Sequence, residues 1–380
     1  MEILDIALLL LGAKVFGSLF NKLKQPSLGG ELLGGIILGS SVLGIVKSSA
    51  LVNATSQFGL MFLVLLTSLA IDWKKIESKA EKLSLMELII ASLTFVVSYF
   101  VGGIFNFSFY TKVVFGFALM QSSTAIVARA LSDIGEFNSR EGEAIISLQI
   151  IDDIAAILCV AILANFLQNS TIGLEPIMKT LFIAVGFFVV ISKTGARFIH
   201  WIMNSVQKYG MEEALFAVTL VIAFLLSSFT EQLGIASFLG MFLTGILISK
   251  TPQAGIVSQK VKEVGETFFI PIFFATIGLS VSISSVYQQL PILIPLIVSI
   301  IAIKLVCASL PLTLFGYSWK ESLRIGSGMV SLSEMAVVIL GIGLSSQALD
   351  VTLYSMLAVA FIIIDTISPL ILNFAFKYRR

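Results

Sequence analysis

Long apolar runs recur along almost the whole chain and are separated by short polar segments. Runs long enough to cross a hydrocarbon core of about 30 Å, at ~1.5 Å of rise per residue, predict thirteen membrane-spanning helices. These runs begin near residues 3, 28, 54, 84, 111, 142, 175, 211, 233, 264, 290, 320 and 351. We therefore expect an all-α polytopic membrane protein.

Composition agrees with this pattern and excludes several classes of protein. Of 380 residues, 57% are hydrophobic and 12% are charged, which no ordinary soluble domain matches. The net charge is +1 and the basic residues lie in short clusters, so we expect a lipid bilayer and no nucleic acid as partner. Cys159 and Cys307 fall within predicted spans, where we interpret them as packing residues.

Lysine and arginine lie mainly in alternate loops, as expected for loops that stay in the cytoplasm. This set of loops and the C-terminal tail carry Lys22, Lys24, Lys74, Lys75, Lys79, Lys82, Arg140, Arg197, Lys208, Lys250, Lys260, Lys262, Lys320, Lys377, Arg379 and Arg380. The opposite set carries only Lys47 and Lys112. With thirteen spans in the plasma membrane, the pattern predicts an N-terminus outside and a C-terminus in the cytoplasm.

An internal repeat relates the two ends of the chain at an offset of a little over 200 residues. The matching segments are Leu33–Gly39 with Leu239–Gly245, Met120–Thr124 with Met329–Ser333, and Ile150–Ile154 with Ile363–Ile367. The predicted seventh span lies between the two copies and reverses the orientation of the second. We expect two inverted six-helix repeats joined by a linker helix, an arrangement typical of secondary transporters.

Asp152 and Asp153 lie next to each other within the otherwise apolar run 144–166. An ionised side chain at mid-membrane costs roughly 2.5–3.5 kcal/mol or more, so paired membrane acids predict a functional site. Successive helical residues point about 100° apart, so the two carboxylates face different neighbours. One carboxylate can bind a cation while the other pairs with a basic side chain. A structural polar pair is the alternative.

Two predicted spans, the fifth and the twelfth, are polar in their middles. The first contains Gln121, Ser122, Ser123 and Thr124, and the second contains Gly326, Ser327, Gly328, Ser331 and Ser333. We expect two broken helices that cross, because unwound backbone at this depth lines a cavity and exposes helix ends carrying roughly half a unit charge. The alternative is close helix packing through small residues.

Lys304 and Glu334 are candidate counter-charges for these helix ends and for the aspartates. Desolvation and a nearby carboxylate act on a buried lysine in opposite directions, so a Lys304–Asp152 pair can titrate near cellular pH and carry a proton. Alternatively, Lys304 is a permanent charge. Gln149, in the same span as the aspartates, is a further supporting residue. Sequence leaves open whether Asp365 has a structural partner and whether Glu31 caps a helix or faces a cavity.

On these residues the chain resembles the monovalent cation/proton antiporter superfamily, and in particular the NapA-like sodium/proton antiporters with paired aspartates. The segment Gly30–Gly39 is similar to the second-span glycine motif of that family, and Phe268–Phe274 is similar to its tenth-span motif. The resemblance implies that Asp153 is the cation ligand and that Asp152 is the partner of Lys304. Relatives with an aspartate at the first break differ from this chain, so Thr124 and backbone carbonyls become the expected additional ligands.

The resemblance also implies a domain organisation. Residues 84–170 and 290–380 would form a core transport domain, and residues 1–83 and 211–289 a dimerisation domain, with 171–210 as the linker. The expected protein is a homodimer without cofactor or enzymatic activity, which exchanges Na⁺ or Li⁺ for H⁺ electrogenically, two protons per cation. The alternatives are a K⁺/H⁺ antiporter or K⁺ efflux system, a sodium-coupled solute symporter, and a structural or adaptor protein.

Overall fold

A computed structural model describes residues 2–23, 25–70, 80–168, 195–208, 212–233 and 237–377. These residues form helices joined by short connections, with no β-strand among them. The helices are α1 (Glu2–Lys22), α2 (Ser27–Leu38), α3 (Ala50–Leu69), α4 (Ala80–Ile104), α5 (Phe109–Met120), α6 (Thr124–Asp133), α7 (Arg140–Gln168), α8 (Ala196–Lys208), α9 (Glu212–Gln232), α10 (Phe238–Ser249), α11 (Ala254–Val264), α12 (Ile270–Leu279), α13 (Ile283–Gln288), α14 (Leu290–Leu314), α15 (Trp319–Gly328), α16 (Glu334–Ser345) and α17 (Val351–Lys377).

Within the described ranges, seven helical segments are long and apolar enough to cross a membrane. They are α1, α3, α4, the α5–α6 pair, α9, α14 and α17. This confirms the all-helical, multi-pass architecture. The span predicted from residue 175 lies outside the described residues, so the total of thirteen stays a prediction.

The two expected helix breaks are confirmed. Residues 121–123 separate α5 from α6, and residues 329–333 separate α15 from α16. The second broken helix starts at a capping box: Ser318 accepts the N–H of Glu321, whose carboxylate accepts the N–H of Ser318. The predicted tenth span is also irregular, because the π-helical segment Gly265–Phe269 connects α11 to α12.

The glycine motifs mark close helix crossings. A Cβ added to Gly35 of α2 would lie 1.9 Å from the carbonyl oxygen of Ala275 in α12. Gly240 of α10 also lies at a close crossing, since its Cβ would lie 2.2 Å from the backbone nitrogen of Ser227 in α9. Only glycine allows the backbones to approach this closely.

The helices pack in two groups. In the first group α2 packs on α1 and α12, and α3 packs on α10 and α12. In the second group α4 packs on α5, α7 and α14, while α16 packs on α5 and α7. The two breaks and the paired aspartates belong to the second group. The groups meet along α7, which packs on α3 and α10, and along α17, whose Tyr354 bonds to Ile277 of α12.

Candidate functional site

The candidate site lies where the two helix breaks touch, beside the middle of α7. The hydroxyl of Ser122 donates to the carbonyl oxygen of Met329 at 3.1 Å, and the N–H of Ser123 donates to Ser331 Oγ at 3.2 Å. Backbone groups that lose their helical partners at one break are therefore satisfied by the other break.

Asp152 and Asp153 are both held by the first break, but in different surroundings. Asp152, only 1% exposed, accepts the N–H of Ser122 at 2.6 Å. Asp153 is partly exposed and accepts the hydroxyl of Thr124 at 2.9 Å. Adjacent positions on one helix thus present one enclosed and one accessible carboxyl group, as the angular offset predicts.

Lys304 reaches the same break from α14. Its Nζ donates to the carbonyl oxygens of Leu119 at 2.9 Å and Gln121 at 2.7 Å, and to Ser122 Oγ at 3.2 Å. These carbonyls lie at the C-terminal end of α5, where the helix dipole is negative. Lys304 and Asp152 are therefore connected through Ser122, whose N–H and hydroxyl bind one each, and not through a direct ion pair.

Two further polar side chains hold the breaks together. Gln149 Nε2 donates to the carbonyl oxygens of Ser123 at 3.4 Å and of Gly328 at 3.2 Å. Asp365 of α17 accepts the N–H of Leu332 at 2.8 Å. Asp365 thus has a structural partner in the second break, and its bond parallels the bond of Asp152 to Ser122 in the first.

A cavity of about 600 Å³ lies between the two groups of helices. From the second group, Asp153, Thr124 and Glu334 line it. From the first group its walls include Lys14, Ser27, Glu31 and Glu266. Of the two aspartates, only Asp153 lines this cavity. Glu31 therefore faces the cavity, which settles the position that the sequence left open.

The family model described as "Sodium/hydrogen exchanger, transmembrane" matches residues 6–377. The chain belongs to this family. The exchanger is 30% identical over 372 residues to the Na(+)/H(+)-K(+) antiporter GerN of Bacillus cereus, covering 98% of this chain and 95% of GerN. It is 29% identical over 380 residues to a Na(+)/H(+) antiporter of Enterococcus hirae, covering 99% of each.

A solved structure shows the same fold. The sodium proton antiporter MjNhaP1 from Methanocaldococcus jannaschii, at pH 8, superposes with a TM-score of 0.75 at 15% identity, covering 99% of this chain and 96% of that one. The family match and these relatives confirm the resemblance of the sequence to the cation/proton antiporters.

Two basic residues of the exchanger lie elsewhere than their sequence positions suggest. Arg324 and Lys14 are near the ends of predicted spans, a position from which the sequence predicts that they extend to the membrane surface. Instead, Arg324 forms a buried ion pair with Glu141 at 2.8 Å, which ties α15 to α7. Lys14 lines the cavity and donates to the carbonyl oxygen of Glu266 at 2.5 Å. The snorkelling interpretation is wrong for Arg324 because its partner lies on a helix far away in the sequence.

Two acidic residues of the exchanger are not predicted from the sequence to belong to a site. Glu266 lines the cavity from the π-helical segment, and Glu87 is buried in α4. Both lie near the ends of predicted spans. Acidic residues are common at such positions, so the hydropathy pattern does not mark them as functional. The available signal was the helical spacing of Glu87 with Thr94 and Ser98, which places three polar groups on one face of an otherwise apolar helix.

Proposed function

We propose that this exchanger moves Na⁺ or Li⁺ across the membrane in exchange for protons by alternating access, with Asp153 as the cation ligand. The observation that carries the proposal is the contrast between two adjacent carboxyl groups. Asp153 and Thr124 line a 600 Å³ cavity, whereas Asp152 and Lys304 are enclosed behind the first helix break. An ion site that opens to the cavity and a buried acid–base pair thus lie side by side where the two helix breaks touch.

Competition at Asp153 supplies the exchange. A carboxylate can hold a proton or a cation, and in a desolvated site each weakens the binding of the other. The hydroxyl of Thr124 donates to Asp153 in this structure and has lone pairs that can face a cation. Glu334, at the N-terminal end of α16, adds a second carboxyl group to the same cavity wall.

A second proton is assigned to the enclosed cluster of Asp152, Ser122 and Lys304. When the cation arrives beside Asp152, it competes with Lys304 for that carboxylate, and Lys304 gives up a proton. Two protons then exchange for one cation, so each cycle moves one net charge. Ser122, which binds both groups, couples them.

The two helix groups suggest how access alternates. In this proposal, residues 84–170 and 290–380 move as a core domain against a homodimeric domain of residues 1–83 and 211–289. Residues 171–210 form the linker. The whole chain then has thirteen spans arranged as two inverted repeats. The position of the cavity between the groups supports the division. With a C-terminus in the cytoplasm and the protein in the plasma membrane, Asn21 and Ser27 of the cavity wall would lie on the cytoplasmic side.

Potassium is the second candidate cation, because GerN carries K⁺ in its description as a Na(+)/H(+)-K(+) antiporter. Carboxylate and hydroxyl oxygens suit Na⁺, Li⁺ and K⁺ alike, and selection among them depends on the size of the site.

The test is transport by the purified protein in proteoliposomes that contain a pH dye. Outward gradients of Na⁺, Li⁺ and K⁺ are imposed in turn, with choline as the control cation. We expect Na⁺ or Li⁺ efflux to acidify the interior, and choline to give no response. Pure K⁺ exchange would favour the second candidate, and the lack of a response to all three cations would contradict antiport.

A further inference from the structure

Glu87 of α4 is a buried acidic residue outside the site described above. It is 2% exposed, and neither of its carboxyl oxygens has a hydrogen-bond partner among the described residues. An ionised carboxylate in such surroundings would cost several kcal/mol, because nothing replaces its hydration. The side chain therefore fits this conformation as a carboxylic acid that holds a proton.

The register between α4 and α14 places Glu87 nearer than Lys304 to the membrane surface at the Lys82 end of α4. Lys82 Nζ donates to the carbonyl oxygen of Phe315 at 3.4 Å, and Thr94 lines the same small void as Lys304 and Ala308 of α14. The two helices thus run antiparallel, with Lys304 level with Thr94. Glu87 lies seven residues from Thr94, or about two helical turns, towards the Lys82 end.

The charged groups facing Glu87 all belong to the proposed proton site. Asp152 and Asp153 of α7 and Lys304 of α14 lie within electrostatic range of its carboxyl group. Any change in the charge of Lys304 or of the aspartates is therefore felt at Glu87, since the space between them is low in dielectric.

A small void lies between Ile90 and Thr94 of α4 and Lys304 of α14. Its volume is about 10 Å³, and Thr94, Ser122 and Lys304 give it a polar lining. That size is close to the space one water needs, and three polar groups are enough to hold it. Ile90, one turn from Glu87, forms the wall on the Glu87 side.

We propose that Glu87 is a further proton-binding residue of the exchange cycle, which passes a proton to and from Lys304 by way of this void. When Lys304 has lost its proton, the carboxylic acid of Glu87 reprotonates the amine and becomes a carboxylate, which the new ammonium group stabilises. The reverse transfer restores both groups, so no other reactant is consumed. This proposal rests on the proposed function.

The test compares the pH profile of exchange in proteoliposomes for Glu87→Gln, Glu87→Asp and the control Ser98→Ala. Glutamine keeps the size of the side chain but cannot release a proton, so we expect the pH of half-maximal exchange to shift by about one unit or more. Aspartate keeps the carboxyl group and should restore the wild-type profile. Ser98 lies on the same buried face but not at the void, so its substitution should leave the profile unchanged.

A structural role would change the yield or melting temperature of Glu87→Gln without moving its pH profile, and that result would overturn the proposal. If Glu87→Gln does not fold, Thr94→Val decides, because it removes a hydroxyl from the void while keeping the volume. A wild-type profile in Thr94→Val would then count against the path. Loss of exchange in the wild type would refute the proposed function itself, whereas unchanged profiles in the variants refute only the role of Glu87.

Discussion

At the scale of single residues, neighbouring carboxyl groups differ in function because a turn of about 100° separates their surroundings. Asp153 lines the cavity and Asp152 is enclosed with Ser122. The same chemical group thus becomes an ion ligand at one position and one half of a buried acid–base pair at the next. Their substitutions should therefore have different consequences.

We predict that Asp153→Asn abolishes cation-dependent proton movement while leaving the protein folded. The amide keeps the bond to Thr124 but removes the charge for which the cation and the proton compete. Proteoliposome transport measures the loss, and gel filtration and thermal unfolding verify the fold. Asp133→Asn is the matched control, because Asp133 is exposed at the end of α6. Wild-type transport by Asp153→Asn would refute the ligand assignment.

Lys304→Gln should make any residual exchange electroneutral, because the glutamine amide can still bond to the carbonyls of Leu119 and Gln121 but carries no second proton. In the wild type, a potential of 100 mV should contribute ~2.3 kcal/mol per net charge moved. Exchange is measured with the membrane potential clamped by valinomycin at several values, and Lys47→Gln, at an exposed loop position, is the control. Wild-type voltage dependence in Lys304→Gln would leave Lys304 as a fixed counter-charge.

At the scale of helices, glycine determines how closely α2 and α12 can pack. Gly35→Ala should destabilise the protein by about 1–3 kcal/mol, because its Cβ would overlap the backbone of Ala275 and force the helices apart. Gly341→Ala in α16 is the control, since no atom from another helix lies within 4 Å of its Cβ position among the described residues and alanine favours helix by about 0.5–1 kcal/mol. Thermal unfolding in detergent compares the two. An equal melting temperature for both variants would contradict this packing.

Helix breaks are a second property of this scale. Each break leaves backbone groups without helical partners, and each recruits an aspartate from a following helix: Asp152 binds the N–H of Ser122, and Asp365 binds that of Leu332. The two breaks differ in that the first one also has a lysine beside it, Lys304. It binds the exposed carbonyls of α5 and is linked to Asp152 through Ser122.

At the scale of the whole molecule, the two helix groups touch on one side of the site and separate at the cavity. Tyr354 donates its hydroxyl to the carbonyl oxygen of Ile277 at 2.9 Å, and the N–H of Ser282 donates to Ser355 Oγ at 2.8 Å. These bonds join α17 to the opposite group. We expect them to break when the cavity closes and access moves to the other face.

A double variant, Ser282→Cys with Ser355→Cys, should stop exchange when oxidised and regain it after reduction, because the disulfide holds this contact closed. Transport is measured in proteoliposomes before and after dithiothreitol. The two single cysteine variants control for the substitutions and for the native Cys159 and Cys307. Full exchange by the oxidised, cross-linked protein would rule out movement at this contact.

The sequence by itself predicted the seven spans found among the described residues, the two breaks and the position of the paired aspartates in a helix. Helices α14 and α17 begin at residues 290 and 351, as predicted. These features follow from local physics: a run of apolar residues must be long enough to cross the bilayer, and a charge or an unwound backbone inside it is costly wherever the chain folds.

The tertiary structure decided which of these groups meet. It placed Ser122 between Lys304 and Asp152, paired Arg324 with Glu141, and opened the cavity to Asp153 alone of the two aspartates. Each of these contacts joins helices that are far apart in the sequence, and hydropathy carries no information about which helix faces touch. Distances between faces are set by packing at positions such as Gly35, so only the folded chain shows which polar residues share a site.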